Sequence, residues 1–278
     1  FKQKTAYEML RSLVGSEMCI RDRQRGVVWG LALLFGLSLA NHLTMALLLP
    51  AAALTLLLAR PRLAWREWLG AGALFLLGLM LYAYIPLRWP ALHDGRWMGW
   101  EEFLAYVTGQ QFGGALQPSL LRDPTRYAIV GRLLAEPFGW AGVLLALPGL
   151  AWLAARRPRL GAVSALAFLP YCLYGLVYRV PDISVFLLPA HFLLALWMGL
   201  GLAALARLTR RRSGHLACLL MALFALLPLS HVWLNLPAVD QSGRVDAERW
   251  GRYVLALPLP PGAAILADGE KIAPLYYL

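Results

Sequence analysis

Charge is scarce in this chain, and common catalytic signatures are missing. Only 15% of its 278 residues are Asp, Glu, Lys or Arg, against 60% hydrophobic. A soluble domain of this length needs more polar surface, which excludes that class. Cysteine is sparse too. Cys19, Cys172 and Cys218 form no pair with metal-ligand or redox spacing, so no disulfide framework is expected. There is no glycine-rich phosphate loop, no His-Glu-x-x-His helix and no nucleophile elbow. No cluster of His and carboxylates has ligand spacing, so neither a metal nor a cofactor is expected. Heptads and internal repeats are absent.

What the chain does contain is apolar residues in blocks of about 17 to 25, the length that crosses a hydrocarbon core of about 30 Å. Three arginine clusters fall between the blocks: Arg60/Arg62/Arg66, Arg156/Arg157/Arg159 and Arg207/Arg210/Arg211/Arg212. Neighbouring clusters are separated by an even number of candidate spans, so all three can lie on one side, the positive-inside pattern. The net charge of +11 would suggest nucleic acid in a soluble protein. Here the arginines flank apolar spans, and topology with anionic lipid headgroups explains them instead. The predicted fold class is all-α, a polytopic transmembrane helix bundle of about six or seven spans.

Residues 1–23 have no initiator Met and no signal-peptide core, and they read as an artefactual leader from adapter read-through. Residues 24–236 form the expected transmembrane domain, with an extracytoplasmic loop at 88–137. Residues 237–278 read as the start of a soluble extracytoplasmic region, with a short strand at Ala264–Ala267. The chain is expected to be an internal fragment of a longer protein. The first block, Val27 to Ala59, is too long for one upright span and is interrupted by Asn41-His42. It fits a single tilted span, or two short helices that meet near Asn41 with both ends on the arginine side. Arg25 and Arg60 at its ends favour the hairpin. Within the loop, Trp100, Phe103, Leu104 and Val107 recur at helical spacing, so Gly99 to Gln110 reads as an amphipathic helix on the bilayer surface.

Polar residues at membrane depth are the functional candidates, because burying them there is costly. Asn41 and His42 serve either a helix–helix hydrogen bond or a turn, or else face a water-filled cavity on the far side. Arg88 ends the Leu69–Leu87 span and is either a snorkelling anchor or a cation for phosphate. Asp182 looks like an N-cap with Arg179 close enough to pair with it, and capping leaves room for a cavity-facing role. Asp94 in a turn, with Gln110 and Gln111, makes a weaker set. Glu101 and Glu102 read as caps or solvated acids at the start of the loop helix. The loop also offers His93 and Asp123.

Several segments carry a family resemblance in combination. They are Gly36-Leu-Ser-Leu-Ala-Asn-His-Leu-Thr-Met45, Tyr82-Ala-Tyr-Ile-Pro-Leu-Arg88 and Phe103-Leu-Ala-Tyr-Val-Thr-Gly-Gln-Gln-Phe112. Val180-Pro-Asp-Ile-Ser-Val-Phe-Leu-Leu-Pro189, Ile265-Leu-Ala-Asp-Gly-Glu270 and Pro274-Leu-Tyr-Tyr-Leu278 follow in order. Together they resemble a bacterial family of uncharacterised multi-pass membrane proteins, similar to protein O-mannosyltransferases of the C-type glycosyltransferase superfamily. The resemblance spans nearly everything after residue 24. It implies a glycosyltransferase of the bacterial inner membrane with the arginine clusters cytoplasmic. A polyprenyl-phosphate sugar, mannose-like, would be the donor, and a protein or glycan hydroxyl on the extracytoplasmic face the acceptor. It also implies that the catalytic carboxylate belongs to an acidic loop upstream of this segment. The alternative expectation is a membrane transporter or lipid flippase, to which interrupted helices also point.

Overall fold

A computed structural model describes residues 6–210, 213–240, 242–260, 262–267 and 269–278. The described residues are mostly helical and contain no strand, only one isolated bridge between Leu116 and Tyr178. The chain divides into two compact units, Phe1–Leu208 and Thr209–Leu278. Among the described residues, four helices are long and apolar enough to cross a membrane: Trp65–Leu92, Gly139–Arg156, Pro158–Val177 and Leu188–Arg210.

The first unit opens with helix α1 (Ala6–Asn41), which covers most of the leader and the first half of the apolar block. The helix stops at His42, whose backbone turns extended at φ −153° and ψ 123°. A 3-10 stretch (Leu43–Leu48) and helix α2 (Leu49–Ala59) then carry the chain back. The return is fixed at its base. Gln24 Oε1 accepts a hydrogen bond from the Arg62 backbone N–H at 3.3 Å. A continuous helix would hold those residues roughly 57 Å apart at 1.5 Å per residue. The Val27–Ala59 block is therefore the hairpin, with its arginine-flanked ends together.

Helix α3 (Trp65–Leu79) runs parallel to α1 and continues through a 3-10 turn (Met80–Ala83) into α4 (Tyr84–Leu92). Its start is anchored by Glu67, which accepts from the Ala64 N–H at 2.7 Å and faces Arg25 at 3.9 Å. The Trp29 indole donates to Glu67 O at 2.8 Å. Higher up, two glycines let the backbones touch. A Cβ on Gly36 would lie 2.2 Å from Phe75 O, and one on Gly78 would lie 2.6 Å from Leu37 N. Near the far end, the Tyr82 hydroxyl donates to Leu39 O at 2.6 Å. Carbonyls in a helix's last turn lack their own N–H partners, so this bond replaces one that the break at His42 removes.

Beyond the loop, α6 (Pro124–Ala135) leads into α7 (Gly139–Arg156), α8 (Pro158–Val177), the single turn α9 (Ile183–Phe186) and α10 (Leu188–Arg210). Helices α7 and α10 cross on glycine as well. A Cβ on Gly149 would lie 1.7 Å from Trp197 O, and one on Gly201 would lie 2.2 Å from Leu145 O. Where apolar surface faces lipid, burial between helices gains little, and close packing on small residues takes its place. Polar side chains join the helices too. Trp197 Nε1 donates to Ser164 Oγ at 3.2 Å, and His191 Nε2 donates to Leu133 O at 3.0 Å. Val130, Leu176 and Leu187 form the buried core between α6, α8 and the α9–α10 junction. The outward faces carry Leu69, Leu76, Leu144, Leu147, Leu169 and Leu196, an apolar surface far larger than water tolerates.

The second unit holds α11 (Gly214–Val239), α12 (Asp246–Leu255) and α13 (Gly269–Tyr277). The expected strand at Ala264–Ala267 does not form. Those residues are irregular, and no neighbouring strand among the described residues offers an edge to pair with. Asp268 lies outside the described residues. Gly251 of α12 packs so closely that a Cβ there would lie 2.5 Å from Leu278.

The crossings generate a test. Gly149→Val should destabilise the purified protein by about 3 kcal/mol or more, because overpacking forces the backbones apart. Gly30→Ala, inside α1 and meeting nothing within 4 Å, should instead raise the melting temperature in detergent slightly, by up to about 1 kcal/mol of helix propensity.

Candidate functional site

Three segments converge at the end of the first unit opposite the arginine-flanked ends. The first is the break after α1. His42 caps the 3-10 stretch: its Nδ1 accepts from the Thr44 N–H at 3.3 Å and lies 2.7 Å from Thr44 Oγ1. An Nδ1 that accepts leaves the ring proton on Nε2, so neutral His42 presents a donor there. The second is the turn between α8 and α9. The His42 ring meets Phe186 edge to face at a centroid distance of 5.4 Å. Phe186 is packed in turn against Tyr174 at 5.8 Å and Tyr178 at 5.3 Å. Asp182, four residues before Phe186, caps α9 by position, but its carboxylate makes no capping hydrogen bond. The third is the loop after α5 (Trp100–Val107). Gly109, in the left-handed region at φ +66°, opens a 3-10 turn over Gln110–Ala115. Its Cα faces Leu43, the residue after His42: a Cβ built there would lie 4.0 Å from Leu43 Cδ2.

A two-residue ladder ties the loop to the α8–α9 turn. Gln117 N–H donates to Val177 O at 2.7 Å, and Arg179 N–H donates to Ala115 O at 2.8 Å. Beneath it lies Arg126, only 8% exposed. Its guanidinium donates to Leu176 O at 3.2 Å, to Gly175 O at 2.8 Å and to Tyr178 O. These carbonyls close α8, where the helix dipole is negative, so a buried cation is held there with no carboxylate among the described residues bonded to it. Asp123 caps α6 by accepting from the Thr125 N–H at 2.9 Å, which aims Arg126 inward from the helix's first turn.

The sequence candidates divide accordingly. His42 and the Asp182 turn are brought together through Phe186, and Gln110 and Gln111 open the adjoining loop turn. Asn41 is the last residue of α1 and exposed. Arg88 is exposed in α4, and no hydrogen bond, ion pair or ring contact among the described residues joins it to this cluster. Arg179 and Asp182 form no ion pair with each other among the described residues. Asp94 sits at φ +51° in the turn after α4. Glu102 is a cap: it accepts from the Gly99 N–H at 3.4 Å and takes both Arg96 nitrogens, at 3.0 and 2.8 Å. Sequence reasoning missed Arg126. Its signal was its register, since Arg126 precedes Val130, Leu133 and Leu134 on one helical stripe.

Comparison with protein-family models, curated proteins and solved structures gives no match. The geometry therefore stands alone. It brings the His42 ring against the Phe186–Tyr174–Tyr178 wall, with the turn that bears Asp182 beside it and the buried Arg126 bonded to the Tyr178 carbonyl.

Two outcomes follow. Arg126→Met should leave three carbonyls unpaired and lower stability by roughly 3 kcal/mol or more, seen in thermal melts. The Arg96 hydrogen bonds hold the Glu102 carboxyl below its usual range. A depressed carboxylate stabilises above its unfolded pKa, and the contribution is lost as pH falls through the folded value. The protection factors of the Trp100–Val107 amides, corrected for the intrinsic pH dependence of exchange, should therefore fall in acid in the wild type, and be low and independent of pH in Glu102→Gln.

Proposed function

We propose that this protein is a membrane glycosyltransferase of the C-type class, acting on a polyprenyl-phosphate sugar at the extracytoplasmic face of the bacterial plasma membrane. The reading takes the hairpin helices, the four long apolar helices and α11 as about six or seven crossings, with the arginine clusters cytoplasmic. The convergence of His42, the Asp182 turn and the Gln110 turn at the opposite end carries it. These are three of the segments through which the sequence resembles the O-mannosyltransferase-like family.

The chemistry fits the groups present. The acceptor oxygen bonds to the anomeric carbon as the bond from that carbon to the phosphate oxygen breaks. Polyprenyl phosphate leaves with the electron pair, and the acceptor proton passes to a carboxylate. The His42 Nε2–H supplies a donor to the departing phosphate. Asp182 is a carboxylate at this end of the bundle, and the resemblance implies that the catalytic one belongs to an acidic loop upstream. The interruption of the first apolar block at His42 also favours a transporter or flippase, where broken helices line substrate sites.

Radiolabelled sugar transfer from a polyprenyl-phosphate mannose donor, in membranes carrying the protein, separates the readings. His42→Ala should lower transfer about 100-fold, the scale for one lost transition-state donor. Arg88→Ala, measured beside it, should weaken donor binding if Arg88 reaches the phosphate. Sugar uptake into vesicles without transfer to any acceptor would instead establish the transporter.

A further inference from the structure

On another face of the same unit lies a groove of about 600 Å³ between the Trp65–Leu92 helix and α5. This is the volume of a single-ligand site, for which about 300–1,000 Å³ is usual. Leu76, Met80, Ala83 and Pro86 form one wall, and Met98 and Phe103 the other. The polar side-chain atoms of the lining are the Tyr82 hydroxyl, already engaged by Leu39 O, and the indole N–H of Trp100 at the exposed rim. Inside that rim the lining side chains are apolar. The interior therefore suits hydrocarbon.

We propose that this groove holds one acyl chain of a zwitterionic bilayer phospholipid, with α5 as its outer wall. The inference rests on the membrane part of the function proposed above and is independent of the transferase part. Continuity of surface is the first support. Leu76 and Met80, 61% and 64% exposed, belong both to the groove and to the outward face of a candidate span. A chain in the surrounding bilayer thus passes into the groove without crossing polar surface. Trp100, 70% exposed on α5, stands at the rim, where an indole suits the headgroup level. Charge beside the groove is the second support. Arg96, two residues before the lining residue Met98, and Glu102, next to Phe103, neutralise each other as a bidentate, part-exposed pair. A pair with no net charge gives no net attraction for a phosphate monoester, which disfavours a polyprenyl phosphate, and it does not repel a net-neutral zwitterionic headgroup. Arg88, two residues past Pro86, does not share its helical face. A groove whose interior side chains are apolar cannot select among chains, so mass action fills it with the lipid in greatest supply.

The test is photo-crosslinking of the full chain in nanodiscs of phosphatidylethanolamine and phosphatidylcholine, doped with a phosphatidylcholine carrying a diazirine on one acyl chain. Labelled peptides are then mapped. Peptides covering 76–86 and 98–103 should be labelled several-fold more than the convex surface at Leu144 and Leu147. Ala83→Trp, which fills the groove, should cut groove labelling several-fold and leave Leu144 and Leu147 unchanged. Equal labelling of groove and convex surface, or labelling that survives Ala83→Trp, means annular contact only and overturns the proposal. So does a diazirine polyprenyl phosphate that displaces the phospholipid from the groove at equal mole fraction. No labelling at Leu144 and Leu147 overturns the membrane reading itself. If Ala83→Trp does not fold, Met80→Trp fills the same wall and is read the same way.

Discussion

The carbonyls that close α8 have no helical N–H to accept from, and Arg126 satisfies them. In a bundle with a largely apolar exterior, an unpaired carbonyl is costly, so the end of a long helix needs a donor from elsewhere in the chain. Arg126 supplies that donor to Gly175, Leu176 and Tyr178 from a helix about fifty residues earlier in sequence. The loop ladder from Ala115 to Arg179 lies over it, and the Tyr178–Phe186–His42 contacts extend from it. The shape of the far end depends on that single side chain.

A second constraint sets the rest of the first unit. Helices that gain little from burial need backbone-to-backbone approach, and glycine allows it at Gly36/Gly78 and Gly149/Gly201. These crossings fix α1 against α3 and α7 against α10. Helix ends that bear arginine consequently meet in pairs, Gln24 with Arg62 and Arg207 over Trp152. The break at His42 is then placed at the opposite end, beside the α8–α9 turn.

Much of this was legible in the sequence, for identifiable reasons. Block length and arginine placement gave the all-α class, and charges at both ends of the first block favoured the hairpin over a single span. Trp100, Phe103 and Leu104 marked α5 by their spacing, though the helix ends at Val107, before Gly109 turns left-handed. Asp182 was found as a cap by position, but not its lack of a capping bond, which depends on side-chain orientation. Arg126 was passed over because a lone arginine in a polar loop reads as solvated. Only the register of Val130 and Leu134 betrays that it points inward. The meeting of His42 with Phe186 is a contact between residues far apart in sequence, and no local pattern encodes it. The strand expected at Ala264–Ala267 failed because propensity without a pairing edge does not make a strand.

His42 and the α8–α9 turn form one site, opposite the arginine-flanked ends. The direct measurement is crosslinking in intact membranes of a protein carrying His42→Cys and Phe186→Cys, with Cys19, Cys172 and Cys218 replaced by Ser. A short bifunctional thiol reagent should join the two positions efficiently, and an impermeant maleimide should reach them only from the side away from the arginine clusters. No crosslink, or labelling from the arginine side, would contradict the account.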